Sequence, residues 1–274
     1  MTSENTSQPI DLNEATRDLW DQKAAFWDER MGEGNDFHRL LVSPAVERLL
    51  NVQPGETVLE IACGNGVLSR RLAHLGAFVL ATDFSAVFLQ RARARTSQQT
   101  DRLDYQLLDA TREEQIVALG KHRFDAAVCN MAIMDMAQID PLMRGLGQVV
   151  KPEGRFVFSL THPCFNHAGM AFCAEENTID GKNVTTLSIK VTQYLHLRPQ
   201  KSVGMVGEPT PHYTFDRPLH ILLSACFRAG FVLDGLEEPA FQHPEDGSQP
   251  RRLLSWTNYR EIPAALVARL RMAD

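Results

Sequence analysis

The sequence of 274 residues lacks an excess of positive charge. Lys and Arg number 28 against 34 Asp and Glu, which gives a net charge of −6. Proteins that wrap a polyanion usually carry a clear basic excess, so we expect no nucleic-acid partner. The charge is also too small, and the hydrophobic fraction of 44% too high, for an intrinsically disordered chain.

Long apolar runs and a cysteine framework are absent as well. The longest stretch without Asp, Glu, Lys or Arg is Phe156 to Ala174, and its two His, one Pro and one Asn exclude a membrane-spanning helix. The first residues show no basic region followed by an apolar run, so no signal peptide is expected. The five cysteines have no regular spacing, which is typical of reduced thiols. We therefore expect a cytoplasmic protein with no membrane partner.

Short β-rich runs alternate with helical patterns through the middle of the sequence. Such alternation predicts βαβ units and a parallel sheet that is covered on both faces. The predicted fold class is α/β, with a Rossmann-like, doubly wound, mainly parallel sheet. The predicted strands are 57–61, 77–82, 103–108, 124–129 and 155–160.

The flanking segments have a different character. A helix is predicted over Asn13–Met31 and another after Ser43, whereas 161–215 holds irregular β-like runs rich in His, Gly and aromatic residues. We expect one domain over 1–274, made of an N-terminal helical arm (1–50), a ligand-binding core (51–160), a lid inserted after the fifth strand (161–215) and a C-terminal part (216–274). The last part is predicted to contain a helix at 218–229, strands at 231–236 and 252–256, and a final amphipathic helix at 263–272.

A glycine-rich turn follows the first predicted strand. It reads Glu60-Ile61-Ala62-Cys63-Gly64-Asn65-Gly66, and its glycines let a ligand approach the backbone N–H groups. Ligands of open parallel sheets bind beyond the carboxyl ends of the strands. Asp83 and Asp109 follow the second and third strands, where their carboxylates could bind ribose hydroxyls and an adenine amino group. Either acid could instead cap a helix.

The order of these motifs resembles the class I S-adenosylmethionine (SAM)-dependent methyltransferase superfamily, in particular its menaquinone/ubiquinone-type small-molecule branch. The resemblance covers roughly residues 12–160. Alanine at position 62 departs from the usual glycine and should press the backbone toward negative φ. The matching pieces are VLEIACGNG, LATDFS, LLDAT, FDAAVCNMAIMDM and VVKPEGRFVFS.

The resemblance implies that SAM is the cofactor, with S-adenosylhomocysteine (SAH) as its product. It implies that the glycine-rich turn wraps the methionine portion, that Asp83 takes the ribose hydroxyls and that Asp109 reads adenine. Ser85 would also cap the following helix. The full set of implied cofactor residues is Glu60, Ala62, Cys63, Gly64, Asn65, Gly66, Asp83, Phe84, Ser85, Asp109, Ala110, Asn130 and Met131.

The end of the fourth strand narrows the expected substrate. Enzymes that methylate base amino groups typically carry Asn/Asp-Pro-Pro-aromatic there, but this chain has Asn130-Met131-Ala132-Ile133. The expected partner is a small, partly apolar methyl acceptor. The cluster of Arg91, Arg93 and Arg95 spreads around a helix and indicates a solvated face rather than a phosphate track.

Candidate catalytic groups lie in the lid. His162, directly after the fifth strand, is the first candidate for a base or an orienting group, and His212 and Tyr213 are the next. A structural role for His162 explains its position equally well. The spacing of His162, Cys164, His167 and Cys173 matches no zinc module, so no metal is expected. Candidate substrate contacts are Trp20, Trp27, Met134 and His167.

Two other functions remain open from the residues. A nicotinamide-dependent oxidoreductase would use a similar sheet, but G-x-G-x-x-G spacing is absent here. A non-catalytic SAM-binding or interaction protein would share every cofactor feature with a methyltransferase, so only turnover separates the two.

Overall fold

A computed structural model describes residues 11–97, 101–242 and 252–273 of the chain. Its centre is a seven-stranded sheet, to which two small antiparallel pairs are added. The strands are β1 (Thr57–Ile61), β2 (Phe78–Asp83), β3 (Leu103–Leu107), β4 (Phe124–Asn130), β5 (Val150–Thr161), β6 (Met170–Ile179), β7 (Lys182–Val191), β8 (Gln200–Ser202), β9 (His212–Thr214), β10 (Phe231–Glu237) and β11 (Ala265–Met272). The helices are α1 (Leu12–Met31), α2 (Ser43–Leu50), α3 (Val67–His74), α4 (Ala86–Arg95), α5 (Glu113–Val117), α6 (Asp140–Val149) and α7 (Leu219–Arg228).

The strand order of the large sheet is β10-β11-β5-β4-β1-β2-β3. Strands β1 to β5 pair in parallel, whereas β11 runs antiparallel to both of its neighbours. Successive residues of β1 face opposite sides, because Val58 belongs to one buried cluster and Leu59 to the other. Both faces of the sheet are therefore covered, and the predicted doubly wound α/β fold is confirmed.

The N-terminal helix forms close to its predicted bounds. The Asp11 carboxylate accepts hydrogen bonds from the N–H groups of Asn13 and Glu14, at 2.9 and 3.3 Å, and Gly32 ends the helix at φ 50°. A five-residue π-helix at His38–Val42 precedes α2 and was not predicted. It brings His38 to the ligand cavity described below.

The lid contains the irregular β structure that its sequence predicts. Strands β6 and β7 form a hairpin whose turn, Asp180-Gly181, has φ values of 51° and 75°. These positive angles are typical of a two-residue hairpin turn. Strands β8 and β9 form a second, shorter antiparallel pair.

Two C-terminal predictions are wrong. Where a strand is predicted at 252–256, residues 252–255 form bends and Trp256 begins a 3₁₀ turn, Trp256–Asn258. The predicted helix at 263–272 is strand β11, inserted between β5 and β10. Ala265 to Ala268 are all buried, because helices cover both faces of the sheet at this position. A run that is buried on both faces loses the alternation that distinguishes a strand from a helix.

No helix in the described part of the chain is both long and apolar enough to cross a bilayer.

Candidate active site

A cavity of about 600 Å³ lies at the carboxyl ends of the parallel strands. Strand β1 lies between β2 and β4, so the chain order reverses at β1 and opens a crevice there. The floor of the cavity is formed by the segments that follow β1, β2, β3 and β4. The opposite side of the cavity, the roof, consists of α1 together with residues 202–212 of the lid.

The glycine-rich turn has a left-handed backbone at alternate positions. The φ values are 56° at Ala62, 55° at Gly64 and 78° at Gly66. Ala62 thus adopts the left-handed backbone despite its Cβ, so the fold tolerates alanine in place of the usual glycine. Left-handed geometry costs an L-residue about 1–2 kcal/mol. Hydrogen bonds offset this cost, since Cys63 N donates to Thr82 O and Gly66 N donates to Cys63 O, both at 2.9 Å.

The two glycines of the turn have different surroundings. A Cβ on Gly64 would meet no atom within 4 Å, and Gly64 lines the cavity. A Cβ on Gly66 would overlap the Tyr105 hydroxyl and press on Ala92. Gly66 is the N-cap of α3 and does not line the cavity. The structure thus assigns Gly66 to packing and not to the cofactor contact that the resemblance implies.

Asp83 is buried at the end of β2 and is held by the backbone. Its Oδ2 accepts a hydrogen bond from Gly64 N and its Oδ1 accepts one from Ser85 N, both at 2.9 Å. Burial raises the pKa of Asp83 to about 6. Each carboxylate oxygen can accept a further bond, so Asp83 can still receive two ligand hydroxyls.

Ser85 caps the next helix, as expected. Its Oγ accepts a hydrogen bond from Phe88 N at 3.1 Å and donates one to Asp21. Ser85 does not line the cavity, so the structure gives it no cofactor contact. The neighbouring Phe84 does line the cavity.

Glu60 and Asn65 hold the turn in place. The Ser69 hydroxyl donates to the buried Glu60 carboxyl group, and burial raises the pKa of Glu60 to about 8. Asn65 Nδ2 donates to Asp28 Oδ1 at 3.2 Å and to Gly32 O at 3.1 Å. Since Asp28 and Gly32 belong to the N-terminal arm, Asn65 fastens that arm to the turn.

Asp109 lines the cavity but is partly engaged by its own loop. Its Oδ1 accepts hydrogen bonds from Thr111 N at 2.9 Å and from Thr111 Oγ1 at 2.6 Å. Its Oδ2 lies 3.5 Å from Arg112 Nε. These bonds form a local Asx turn and not a helix cap, because α5 has Arg112 as its N-cap and no side-chain cap hydrogen bond. Asp109 and Ala110 face the cavity.

The end of β4 forms the middle of the floor. Asn130 Oδ1 accepts a hydrogen bond from Ser159 Oγ at 2.6 Å, and the same hydroxyl oxygen accepts one from Met131 N at 2.9 Å. Met131 has a φ of 54°. On its other side, Asn130 Nδ2 lies 3.4 Å from His38 Nε2.

The first catalytic candidate, His162, lies outside this cavity. Its Nδ1 accepts a hydrogen bond from Cys164 N at 3.1 Å, so its Nε2 carries the proton that faces Glu238 at 2.8 Å. Burial lowers the pKa of His162. Both ring nitrogens are therefore used within the fold, and the placement favours the structural role.

Tyr213 also lies outside the cavity lining. Its ring packs on Phe215, and the Lys201 ammonium lies 4.8 Å from the ring centroid. The other lid candidate, His212, does line the cavity. The four candidate substrate contacts, Trp20, Trp27, Met134 and His167, all line the cavity as well.

The roof contains a buried ion pair that sequence reasoning missed. Lys23 Nζ lies 2.5 Å from Glu208 Oε1, and both side chains are fully buried. Trp27 Nε1 donates to the same oxygen at 3.1 Å, and His212 Nδ1 lies 3.1 Å from it. Lys23 shares a helix face with Trp20 and Trp27, which was a signal for Lys23, but nothing marked Glu208.

Three cavity residues have a buried side-chain atom without a hydrogen-bond partner. These atoms are His38 Nδ1, Asp135 Oδ1 and His167 Nε2. An unsatisfied buried polar atom costs about 1–3 kcal/mol, so such atoms at a cavity indicate a place for a ligand. Asp135 could have been predicted, because it closely follows a strand end. Within the described ranges, no three His, Cys, Asp or Glu side chains are grouped to hold a metal.

The fold and the position of the cavity define an open α/β domain with its ligand site at the switch point of the sheet. Residues 58–154 match the model of a methyltransferase domain family. A ubiquinone biosynthesis O-methyltransferase of Coxiella burnetii is 27% identical over 157 residues, or 56% of this chain and 64% of that protein. The match thus spans less than two thirds of that relative's length.

Solved structures give the same classification of the fold. An S-adenosylmethionine-dependent methyltransferase from Mesorhizobium loti has a TM-score of 0.63 at 24% identity, covering 83% of this chain and 96% of its own. The (4+2)-cyclase SpnF has a TM-score of 0.54 at 17% identity, covering 84% of this chain and 79% of its own. Residues 58–154 thus match a methyltransferase domain family, and the chain has the fold of S-adenosylmethionine-dependent methyltransferases, the fold that the motifs of its sequence predict.

Proposed function

We propose that this chain binds SAM and transfers the methyl group of SAM to a small, partly apolar molecule. The observation that carries the proposal is one continuous cavity of about 600 Å³, which joins the Gly64 and Asp83 edge of the sheet to the aromatic roof. Pockets for ligands of this kind enclose about 300–1,000 Å³. The cavity is large enough for a nucleoside-sized cofactor and an acceptor side by side.

The residues of the floor fit the cofactor. Asp83 retains the lone pairs that two ribose hydroxyls need, and the space beside Gly64 admits a chain against the backbone. Phe84, Asp109, Asn130 and Met131 line the cavity, and the proposal puts adenine beside the first two and the methyl group beside the last two. When bound, SAM supplies an electrophilic methyl group on a sulfonium. The protein must then align the acceptor and exclude water, which contributes about 7–11 kcal/mol in favourable cases.

The roof suits an acceptor with apolar surface. Trp20 and Trp27 of the roof line the cavity together with Met134 and His167, and His212 of the roof and the facing Asp135 supply polar groups. The net charge of −6 and the absence of a Pro-Pro motif after Asn130 support a small molecule rather than a nucleic acid. The relatives that are named for ubiquinone O-methylation support the same class of acceptor.

Two other reactions, cyclisation and nicotinamide-dependent oxidoreduction, can be distinguished from methyl transfer. The SpnF relative is named for cyclisation, so a chain with this fold can perform another reaction. A nicotinamide-dependent oxidoreductase is disfavoured, because the glycine spacing does not fit G-x-G-x-x-G. Fluorescence enhancement of NADH or NADPH on binding would support it.

Calorimetry with SAM and SAH tests the proposal. The wild type should bind both at micromolar concentration, and Asp83→Ala should weaken binding at least tenfold, because it removes the acceptor for the ribose hydroxyls. Asp104→Ala, which alters an exposed carboxylate on β3, is the matched control and should bind as the wild type does. If the wild type binds neither compound, the proposal is wrong. SAH formation with a panel of small acceptors then separates an enzyme from a non-catalytic binding protein.

A further inference from the structure

The Glu208 carboxylate is the anchor of the roof. Its Oε1 accepts from Lys23 and Trp27, and its Oε2 accepts from Gly204 N at 2.6 Å. Burial alone would raise the pKa of Glu208, but the hydrogen bonds from Lys23 and Trp27 outweigh burial and lower it. Glu208 is therefore a carboxylate, and it can only accept hydrogen bonds.

This anchor sets the proton position on His212. Because Glu208 Oε1 is an acceptor 3.1 Å from His212 Nδ1, the proton of the neutral imidazole lies on Nδ1. Burial and the nearby Lys23 ammonium lower the pKa of His212 to about 4, against the opposing effect of Glu208. The imidazole is neutral at pH 7, and its Nε2 presents a lone pair.

Asp135 faces that lone pair. It ends the 3₁₀ turn Ile133–Asp135 that follows β4, and its Oδ1 lies 3.6 Å from His212 Nε2, too far for a hydrogen bond. The side chain is 11% exposed, and Oδ1 is without a hydrogen-bond partner. Burial raises the pKa of Asp135 to about 8, with Asp216 and Glu208 acting in the same direction and Lys23 against them.

The two facing atoms hold at most one proton between them. If Asp135 is ionised, its Oδ1 and His212 Nε2 are two acceptors that face each other. If Asp135 is protonated, the 3.6 Å between the two atoms is still too long for a hydrogen bond. Both residues line the cavity, and the Trp20 ring lies 4.8 Å from the His212 ring. A hydroxyl that donates to His212 Nε2 and accepts from the protonated Asp135 carboxyl group would satisfy both, as would an amine with an N–H for each. The apolar body of such a molecule would lie against Trp20.

We propose that His212 Nε2 and Asp135 Oδ1 together bind the O–H or N–H group of the methyl acceptor, and that His212 takes its proton during transfer. The inference rests on the proposed function. The acceptor lone pair forms the bond to the methyl carbon, the carbon–sulfur bond breaks with its electrons to sulfur, and the acceptor proton moves to His212 Nε2. The imidazolium formed then lies between the carboxyl groups of Glu208 and Asp135, and it returns the proton to solvent after release.

Glu208 is a positioning residue in this arrangement, because it acts on the acceptor through His212. The acceptor class follows from the geometry: an alcohol, a phenol or an amine with an N–H, and not a tertiary amine or a thioether. General-base catalysis of this kind contributes about 10²–10⁴ in rate.

The first experiment reads the His212 ring directly. Long-range ¹H–¹⁵N NMR on the histidine-labelled, SAH-bound protein should show the Nδ1–H tautomer at pH 7, with the signal assigned by its loss in His212→Asn. Phenol and benzylamine are the donor probes, and anisole is the matched probe without a donor. At least one donor probe should shift the Nε2 resonance, and anisole should not.

Variants then test the pair. Asp135→Asn should weaken the donor probe at least fivefold and leave SAH affinity within twofold of the wild type. His212→Asn should lower methyl transfer to any accepted substrate at least 100-fold. The matched controls are Asp104→Asn and His220→Asn, both at exposed positions. Their donor affinity and transfer rate should equal those of the wild type.

Three outcomes would overturn the inference: an Nε2–H tautomer, an anisole shift as large as that of a donor probe, or no shift with either donor. SAH calorimetry is independent of all three. Failure of the acceptor pair with SAH binding intact is therefore distinguishable from failure of the proposed function.

Discussion

The floor and the roof of the cavity hold their polar groups in different ways. On the floor, Asp83 is bonded by Gly64 N and Ser85 N, and Asn130 is bonded by Ser159. In the roof, Lys23 and Glu208 pair across 185 residues of sequence. One of the cavity's unpartnered atoms, Asp135 Oδ1, belongs to a residue that follows β4 and lies 3.6 Å from His212 Nε2 of the roof.

This difference separates a generic site from a specific one. Floor groups are oriented by adjacent strands of the sheet and the turns that follow them, so any chain with these strands and turns presents the same surface. Roof groups are oriented by distant elements that meet only in the folded chain, and the unpartnered Asp135 Oδ1 faces one of them, His212. We infer that cofactor binding depends on residues that the sheet positions, whereas the choice of acceptor depends on how α1 packs against the lid.

The largest expected effect is on stability and comes from removing the cation of the roof ion pair. Lys23→Met leaves Glu208 as a buried charge without its cation, and it should lower the free energy of unfolding by about 3–5 kcal/mol. Urea unfolding followed by tryptophan fluorescence measures this, since all three tryptophans line the cavity.

The control for this change is Arg228→Met, which removes an exposed pair with Asp140 and should cost about 0–1 kcal/mol. The double variant Lys23→Met/Glu208→Gln should recover part of the loss, because no buried charge remains unpaired. A loss below about 1 kcal/mol in Lys23→Met would contradict a buried roof ion pair.

A pair of glycine variants dissects the floor. Gly66→Ala overlaps Tyr105, so it should lower stability by about 1–3 kcal/mol and leave the SAH affinity of the folded protein nearly unchanged. Gly64→Ala meets no atom but adds a methyl group to the cavity wall. It should cost about 1–2 kcal/mol of backbone strain and weaken SAH binding more strongly. Thermal unfolding measures the stability of both variants, and calorimetry measures their SAH affinity. If Gly66→Ala weakened SAH binding more than Gly64→Ala does, the assignment of Gly66 to packing would be refuted.

The smallest effect concerns the pH dependence that Glu60 gives to the floor. Its pKa of about 8 lies above the ordinary value of 4.5, so the folded chain holds a proton there that the unfolded chain releases between these pH values. The contribution of Glu60 to stability is therefore full below pH 4.5 and is lost as pH rises to 8, by at most about 1.4 kcal/mol per pH unit.

Glu60→Gln cannot release that proton. The stability of Glu60→Gln relative to the wild type should therefore rise with pH from 5 to 8 in urea unfolding experiments. Glu153→Gln, at an exposed site, should show no such trend. A difference that is independent of pH would show that Glu60 is ionised in the folded protein.

Local sequence was sufficient for most of the floor. Asp83 and Asn130 end a strand, and Gly64 and Met131 follow one within a few residues, so strand prediction alone places them at one edge of the sheet. The same reasoning failed for Gly66, because nothing nearby in the sequence reveals that Tyr105 packs against it. It failed for β11 because a strand buried on both faces has no distinctive period.

The roof was predictable only in part. His212 was a candidate because it begins a polar-aromatic segment, and His162 was preferred because it follows a strand directly. The structure reverses that order, since His162 is bonded to Glu238 and Cys164 whereas His212 lines the cavity. The importance of Asp135 and Glu208 depends on tertiary contacts, because Asp135 faces His212 and Glu208 pairs with Lys23.

The sequence by itself determined the α/β fold and most of the floor of the site, because a strand, its turn and the following residues are fixed by short-range periodicity and backbone preference. The tertiary structure alone decided which lid residues reach the cavity, which glycine packs and which polar atoms stay free. These properties depend on contacts such as that of Lys23 with Glu208, and burial in the folded chain sets the pKa values of Asp135 and His212.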